Sequence, residues 1–336
     1  MHMKKIRNSL IRMTAILAAC CLLAGGAAAD ENWLDAFELP EYQPVELENP
    51  SPAPIPLDAE TPYYPHDDAF LPDNKGYVDA TISVRVESMV IKKTPVQFTW
   101  VQIADPTQLR TALASPYPGR TEVRGTKMAE ENHSVLAING DWFILRPKKE
   151  GIIYRNGQLI REKSYGIYDS LIIDTEGDFH ILRQPSDEEF KAWEGKIMHS
   201  FVFGPALVIN GEKVDLSDRK ALSQYDNKLL GKVGGYKGTQ RCVFCQMDKL
   251  SYLIITTEGP EQVKRGGFTV PEMADIAYEI GAQQAFNLDG GASAWLILGK
   301  ERINTRKTKN LRKISDIIYF VTAEAGVPSQ TEEPAE

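Results

Sequence analysis

Tight-turn pairs separate short apolar runs along most of this chain, and that punctuation confines it to a sheet-rich fold. Asn156-Gly157 stands between residues 152–155 and 158–161, a spacing that reads as a two-residue hairpin. Glu176-Gly177 parts 171–174 from 179–183, and Asn210-Gly211 follows 206–209. Residues 81–91 and 96–104 alternate polar with apolar across Lys92-Lys93-Thr94-Pro95, a further hairpin, and 241–247 is followed by 250–257. Helical spacing is confined to 126–132, 187–193 and 271–280. The last opens on Thr269-Val270-Pro271-Glu272, a capping-box spacing with proline in the first turn. Met273, Ile276, Ala277 and Ile280 then share one face and Gly281 supplies the stop. The class expected is α+β: a single sheet-rich domain with few helices, over 76–323, without internal repeats.

The flanks differ in kind. Lys4, Lys5, Arg7 and Arg12 precede an apolar run ending near Gly26, and Ala27-Ala28-Ala29 offers a cleavage site, so residues 1–29 read as a signal peptide. Leu17-Ala18-Ala19-Cys20 also resembles a lipoprotein box, which would anchor the chain at Cys20; ordinary cleavage is favoured because the apolar run continues beyond it. Either route exports a bacterial protein, secreted or associated with the envelope. Residues 30–75 are rich in proline and acid and read as an extended stalk, with Trp33, Phe37, Tyr63, Tyr64 and Phe70 as points of attachment. Residues 324–336 form an acidic tail expected to be disordered. Cleavage removes four basic residues and no acidic ones, taking the net charge from −8 to −12, which leaves no footprint for nucleic acid. Cys242 and Cys245 remain; on one strand their side chains face opposite ways, so free buried thiols are expected rather than a disulfide or shared metal.

Candidate chemistry gathers where strands end. Asn287-Leu288-Asp289-Gly290-Gly291-Ala292-Ser293-Ala294 follows the capped helix and a short buried strand. Glycine permits close backbone approach there, so Asp289 could stand among bare amides as a sugar or phosphate site, or merely cap a turn. Asn139-Gly140-Asp141-Trp142-Phe143 repeats the arrangement. Two such acids suit acid and base work, or with Asn139 a divalent cation, while Asn139-Gly140 alone also suits a hairpin turn. Gly204-Pro205 makes a corner after His199, a titratable candidate or a structural histidine. Arg241 could hold a phosphate oxygen, and Glu258-Gly259 closes another strand. The glycine-rich stretch 231–238, with Lys232 and Lys237, lacks P-loop spacing and reads as a flap. Gly266-Gly267-Phe268 leads into the helix whose N-terminal amides favour an anion.

In this order, Asn139-Gly140-Asp141-Trp142-Phe143, Phe203-Gly204-Pro205-Ala206-Leu207-Val208, Arg241, Glu258-Gly259, Gly267-Phe268-Thr269 and Asn287-Leu288-Asp289-Gly290-Gly291 resemble the phosphodiester glycosidase family over about residues 80–322. The resemblance implies a hydrolase of a sugar-1-phosphodiester, of N-acetylglucosamine type, in envelope or host glycans. It implies Asp289 with Asp141 or Glu258 as acid and base or nucleophile, and Arg241 on the phosphate. Asn139, Gly140, Gly204, Asn287, Gly290, Gly291, Ser293 and His199 are the expected sugar-binding positions; no cofactor is assigned, and a divalent cation on Asn139, Asp141 and Asp289 is an option to test. The sequence departs from the family at Ala292 and Ala294, where hydroxyls are usual, at Cys242 after Arg241, and at Glu258, where the family often has Asp. Those departures leave two other readings open: a non-catalytic glycan-binding or envelope-assembly protein, and a glycosidase of ordinary sugar linkages.

Overall fold

The computed structural model describes residues 32–57, 63–119, 121–141, 151–162, 168–216, 235–260, 264, 266–304 and 312–324. The signal peptide, Cys20, Trp142, Phe143, Lys232 and all but the first residue of the acidic tail lie outside them. Among the described residues no helix is long and apolar enough to cross a membrane. The described residues fall into two units, one ending at Glu38 and the other beginning at Leu39. The described part of the first is a turn in which Trp33 and Phe37 meet edge to face at 6.4 Å.

In the second unit a nine-stranded sheet runs Phe70–Leu71, Gly76–Val78, Ile82–Ile91, Thr94–Ile103, Ser251–Thr257, Cys242–Asp248, Gln284–Leu288, Ala206–Ile209 and Glu212–Lys213, every neighbour antiparallel. A five-stranded antiparallel sheet runs Glu301–Arg302, Leu296–Leu298, Leu136–Asn139, Asp316–Phe320 and Leu109–Leu113. A three-stranded sheet centred on Ser170–Asp174 and the hairpin Ile153–Arg155/Gln158–Arg161 complete the set. Alternation decides what is buried. Leu136 and Ile138 join Phe244, Ile254, Phe286 and Phe320 in the main core, whereas Ala137 faces a second cluster with Met128 and Trp295. Inside the main core Phe244 and Phe320 lie edge to face at 6.2 Å.

The turn signals hold at residue level. Asn156 and Gly157 take φ of 49° and 74°, Asn210 and Gly211 take 52° and 76°, both suited to the twist of a tight hairpin. The expected four-residue turn at Lys92 is shorter: Lys92 and Lys93 alone adopt positive φ, and Thr94 and Pro95 pair with Ile91 and Val90. Among the described residues the α-helices are Gly125–Glu131, Asp187–Lys191 and Val270–Glu279. Thr269 caps the last through a reciprocal box with Glu272. Proline-rich residues 39–57 carry neither helix nor strand, yet they are tacked down: Asn49 N–H donates to the Ala80 carbonyl at 2.8 Å and Ile55 N–H to the Thr107 hydroxyl at 2.8 Å. Cys242 and Cys245 are free and buried, and burial pushes both thiols up.

Candidate active site

Antiparallel pairing brings the expected motifs to one edge of the large sheet. The strand ends at Glu258 and Asp289 flank the start of Cys242–Asp248, and the Gly204-Pro205 corner lies beside Gln284–Leu288. The second sheet delivers Asn139, Gly140 and Asp141 to the same place, because Asn139 Nδ2 donates to the Asp289 carbonyl at 2.8 Å and Asn139 Oδ1 accepts Trp295 N–H at 3.1 Å. The Asn139 amide is therefore a clamp between the two sheets.

Asp289 is the least buried of the three acids. It is partly exposed, whereas Asp141 and Glu258 are buried. The Ser293 hydroxyl and Gly290 N–H donate to its carboxylate, Arg312 adds positive charge, and Asp141 adds negative charge. Burial outweighs these contacts and pushes the Asp289 carboxyl up to about 6. Gly291 N–H donates to Gln240 O at 3.0 Å. The two glycine amides expected to be bare are thus committed, one to Asp289 and one to Gln240. Gly290 is needed for another reason: a Cβ there would lie 2.5 Å from Gln240 O. The missing hydroxyl at Ala294 has no site to serve, since its side chain is fully buried in the main core and its carbonyl accepts Asn304 Nδ2 at 3.0 Å.

Asp141 is held from behind. Its N–H donates to Asp316 Oδ2 at 3.1 Å, and its Oδ2 accepts Val202 N–H at 3.0 Å. Arg155 Nη2 reaches Asp316 Oδ2 at 2.8 Å and lies 3.7 Å from Asp141 Oδ2. Burial pushes the Asp316 carboxyl up to about 6, against the opposing pull of Arg155. Gly140 is in no hairpin turn; a Cβ on it would run into the Asp316 carboxylate, so glycine is required for that carboxylate to fit. Among the described residues no group of three or more His, Cys, Asp or Glu side chains is placed to hold a metal ion.

Other expectations are corrected by the contacts. Arg241 is buried and donates from Nε to Phe268 O at 2.8 Å and from Nη2 to Lys237 O at 2.9 Å, so it braces the loop before the helix. The amides at the helix start are likewise taken: Val270 N–H by Gly235 O and Glu272 N–H by Thr269 Oγ1. His199 is structural. Its Nε2 must carry the proton, being 3.1 Å from the Leu109 carbonyl, while Nδ1 accepts Asn156 N–H at 3.3 Å. Burial and the Arg155 charge lower it to about 3. Asn287 Nδ2 donates to Gly204 O at 2.8 Å and so secures the corner, which has a cis Gly204–Pro205 bond. Glu258 lies at the sheet edge with its N–H on the Pro95 carbonyl at 3.0 Å.

Two groups escaped the sequence reading. Arg312 is exposed, with Nη1 3.4 Å from Ser293 Oγ and its carbonyl accepting Trp295 Nε1–H at 3.2 Å. Asp316 opens the apolar strand Asp316–Phe320, and only its place beside Gly140 marks it.

A family model, phosphodiester glycosidase, matches residues 132–321, which contain every member of this constellation. The chain belongs to the phosphodiester glycosidase family. Similar solved structures support the fold. The zebrafish N-acetylglucosamine-1-phosphodiester alpha-N-acetylglucosaminidase catalytic domain, auto-inhibited by its pro-peptide, is 16% identical with a TM-score of 0.56, covering 72% of this chain and 83% of that one. A hypothetical protein from Synechocystis is 14% identical with a TM-score of 0.55, covering 72% of this chain and 62% of that one. No curated protein sequence matches the chain significantly. Within the phosphodiester glycosidase frame, the Asn-Leu-Asp-Gly-Gly run is the loop that joins the two sheets, and Asp289 is its partly exposed acid.

Proposed function

We propose that the chain is an exported hydrolase that cleaves a phosphodiester-linked sugar of N-acetylglucosamine type in envelope or host glycans. One observation carries this reading: Asp289, a partly exposed carboxyl pushed up to about 6, lies beside an exposed arginine and within the electrostatic reach of a second, buried acid. Such an environment keeps a proton available near neutral pH. In the proposed reaction Asp289 gives its proton to the phosphate oxygen as the sugar C1–O bond breaks. Arg312 holds the phosphate, which leaves as a monoester. Water adds to C1, and Asp141 serves as the second acid of the pair, in the base or nucleophile role. Arg312 replaces Arg241 in this scheme because the Arg241 guanidinium is buried on carbonyls. Ser293 orients the Asp289 carboxyl.

The test is phosphate-monoester release from an α-N-acetylglucosamine-1-phosphodiester by the full mature chain, with and without chelator, beside Asp289→Asn. Product that vanishes in the variant supports the reading, and loss on chelation would add a cation to it. A folded wild type that releases nothing from this or related sugar phosphodiesters would overturn it and leave glycan binding without turnover.

A further inference from the structure

We infer that Asp316 and Arg155 are positioning residues that fix Asp141; the inference rests on Asp141 being the second acid of the proposed reaction. Three features of the chain converge on one carboxylate. Strand register sets Ile317 opposite Asn139, so Asp316 falls beside Gly140 and its backbone carbonyl accepts Gly140 N–H at 3.1 Å. The absent Cβ of Gly140 leaves the space that the Asp316 carboxylate fills. Asp316 Oδ2 then accepts two donors at once, Asp141 N–H and Arg155 Nη2.

Arg155 is itself immobilised. Its guanidinium stacks over the Phe201 ring at 4.4 Å, and Nη1 donates to the carbonyls of Tyr154 and Ser200. From that seat it faces both Asp316 and Asp141. Arg161, from the same hairpin, adds a further positive charge felt by Asp141, and the Asp289 carboxylate interacts with it electrostatically. A fully buried ion pair is a poor way to gain stability, since apolar residues of equal volume serve as well or better. What this pair supplies is direction: the Asp141 main chain and side chain are each held by a group on a different strand. Small displacements of a reacting group cost rate steeply, so this is a function the pair can perform without touching substrate.

The experiment compares kcat and KM on the same sugar phosphodiester for wild type, Asp316→Asn and Gly140→Ala, using the full mature chain. Asparagine keeps an acceptor for Asp141 N–H but loses the charge facing Arg155, and the alanine methyl pushes directly on the carboxylate. Both are expected to lower kcat by about 10- to 100-fold with KM within about twofold. An Asp316→Asn enzyme with kcat within twofold of wild type would overturn the inference while leaving the reaction intact. Should that variant fail to fold, Arg155→Lys, which keeps the charge but not the planar fork, is judged by the same criterion. A wild type inactive on every sugar phosphodiester would defeat the functional reading instead. The positioning would then be decided by the Asp141 carboxyl 13C resonance, assigned with Asp141→Asn: displaced in Asp316→Asn if the inference holds, unmoved if it fails.

Discussion

The loops after Asn287 and Asn139 are built from the same parts and hold their acids differently. Each has an asparagine that ties a neighbouring backbone: Asn287 to Gly204 O, Asn139 to Asp289 O. Each has a glycine that clears space for an oxygen, Gly290 for Gln240 O and Gly140 for Asp316. Yet Asp289 is partly exposed beside exposed Arg312, whereas Asp141 is closed from behind by buried Arg155 and Asp316. A strand end with an acid and a glycine is thus a neutral component. The neighbouring strands determine how tightly each acid is held and how much of it stays open to solvent.

The sharpest way to break this contrast is at Asp289. Asp289→Asn is expected to cut turnover by about a thousandfold while the unfolding midpoint at pH 7.5 stays level or rises; turnover within tenfold of wild type would remove Asp289 from the centre. On the closed side the effect falls on stability. Asp316→Ala leaves buried Arg155 facing an incomplete site and is expected to cost about 3–5 kcal/mol in urea unfolding. Arg312→Ala, on the open side, should stay within about 0.5 kcal/mol and instead raise KM. Equal destabilisation by both would erase the distinction.

A pH series sharpens the open side further. The folded Asp289 carboxyl titrates near 6, above the roughly 3.9 of an unfolded aspartate, so the native state holds the extra proton between those values. That stabilisation is complete below the unfolded value and is lost as pH rises through 6. Between pH 4 and 7.5 wild type should therefore lose about 1–3 kcal/mol relative to Asp289→Asn, toward the lower figure because the side chain is partly hydrated. Parallel stability curves would contradict the raised value. The smallest contrast tests the family departures. Ala294→Ser puts a hydroxyl into the core and should cost about 1–3 kcal/mol, while Ala292→Ser, partly exposed, should stay within about 0.5 kcal/mol; a neutral Ala294→Ser would mean that the core accommodates the group.

Much of this architecture is local and therefore written in the sequence. Asn156-Gly157 and Asn210-Gly211 make the turns their φ preferences require, and the Thr269–Glu272 box starts the helix where its spacing says. Period-two alternation sorts Leu136 and Ile138 from Ala137. The motif order also places Asp141, Arg241, Glu258 and Asp289 at strand ends. What those residues do there was decided only by tertiary structure, because a hydrogen-bonding group can serve a ligand only if no neighbour takes it first. Arg241, Asn139, His199 and the Gly290 and Gly291 amides have titles to a binding role in sequence and are committed to carbonyls, amides or the Asp289 carboxylate in space. Arg312 and Asp316 carry no local signal. They matter because Trp295 Nε1–H holds the Arg312 carbonyl and strand register sets Asp316 against Gly140, contacts between segments 17 to 176 residues apart that no window of sequence contains.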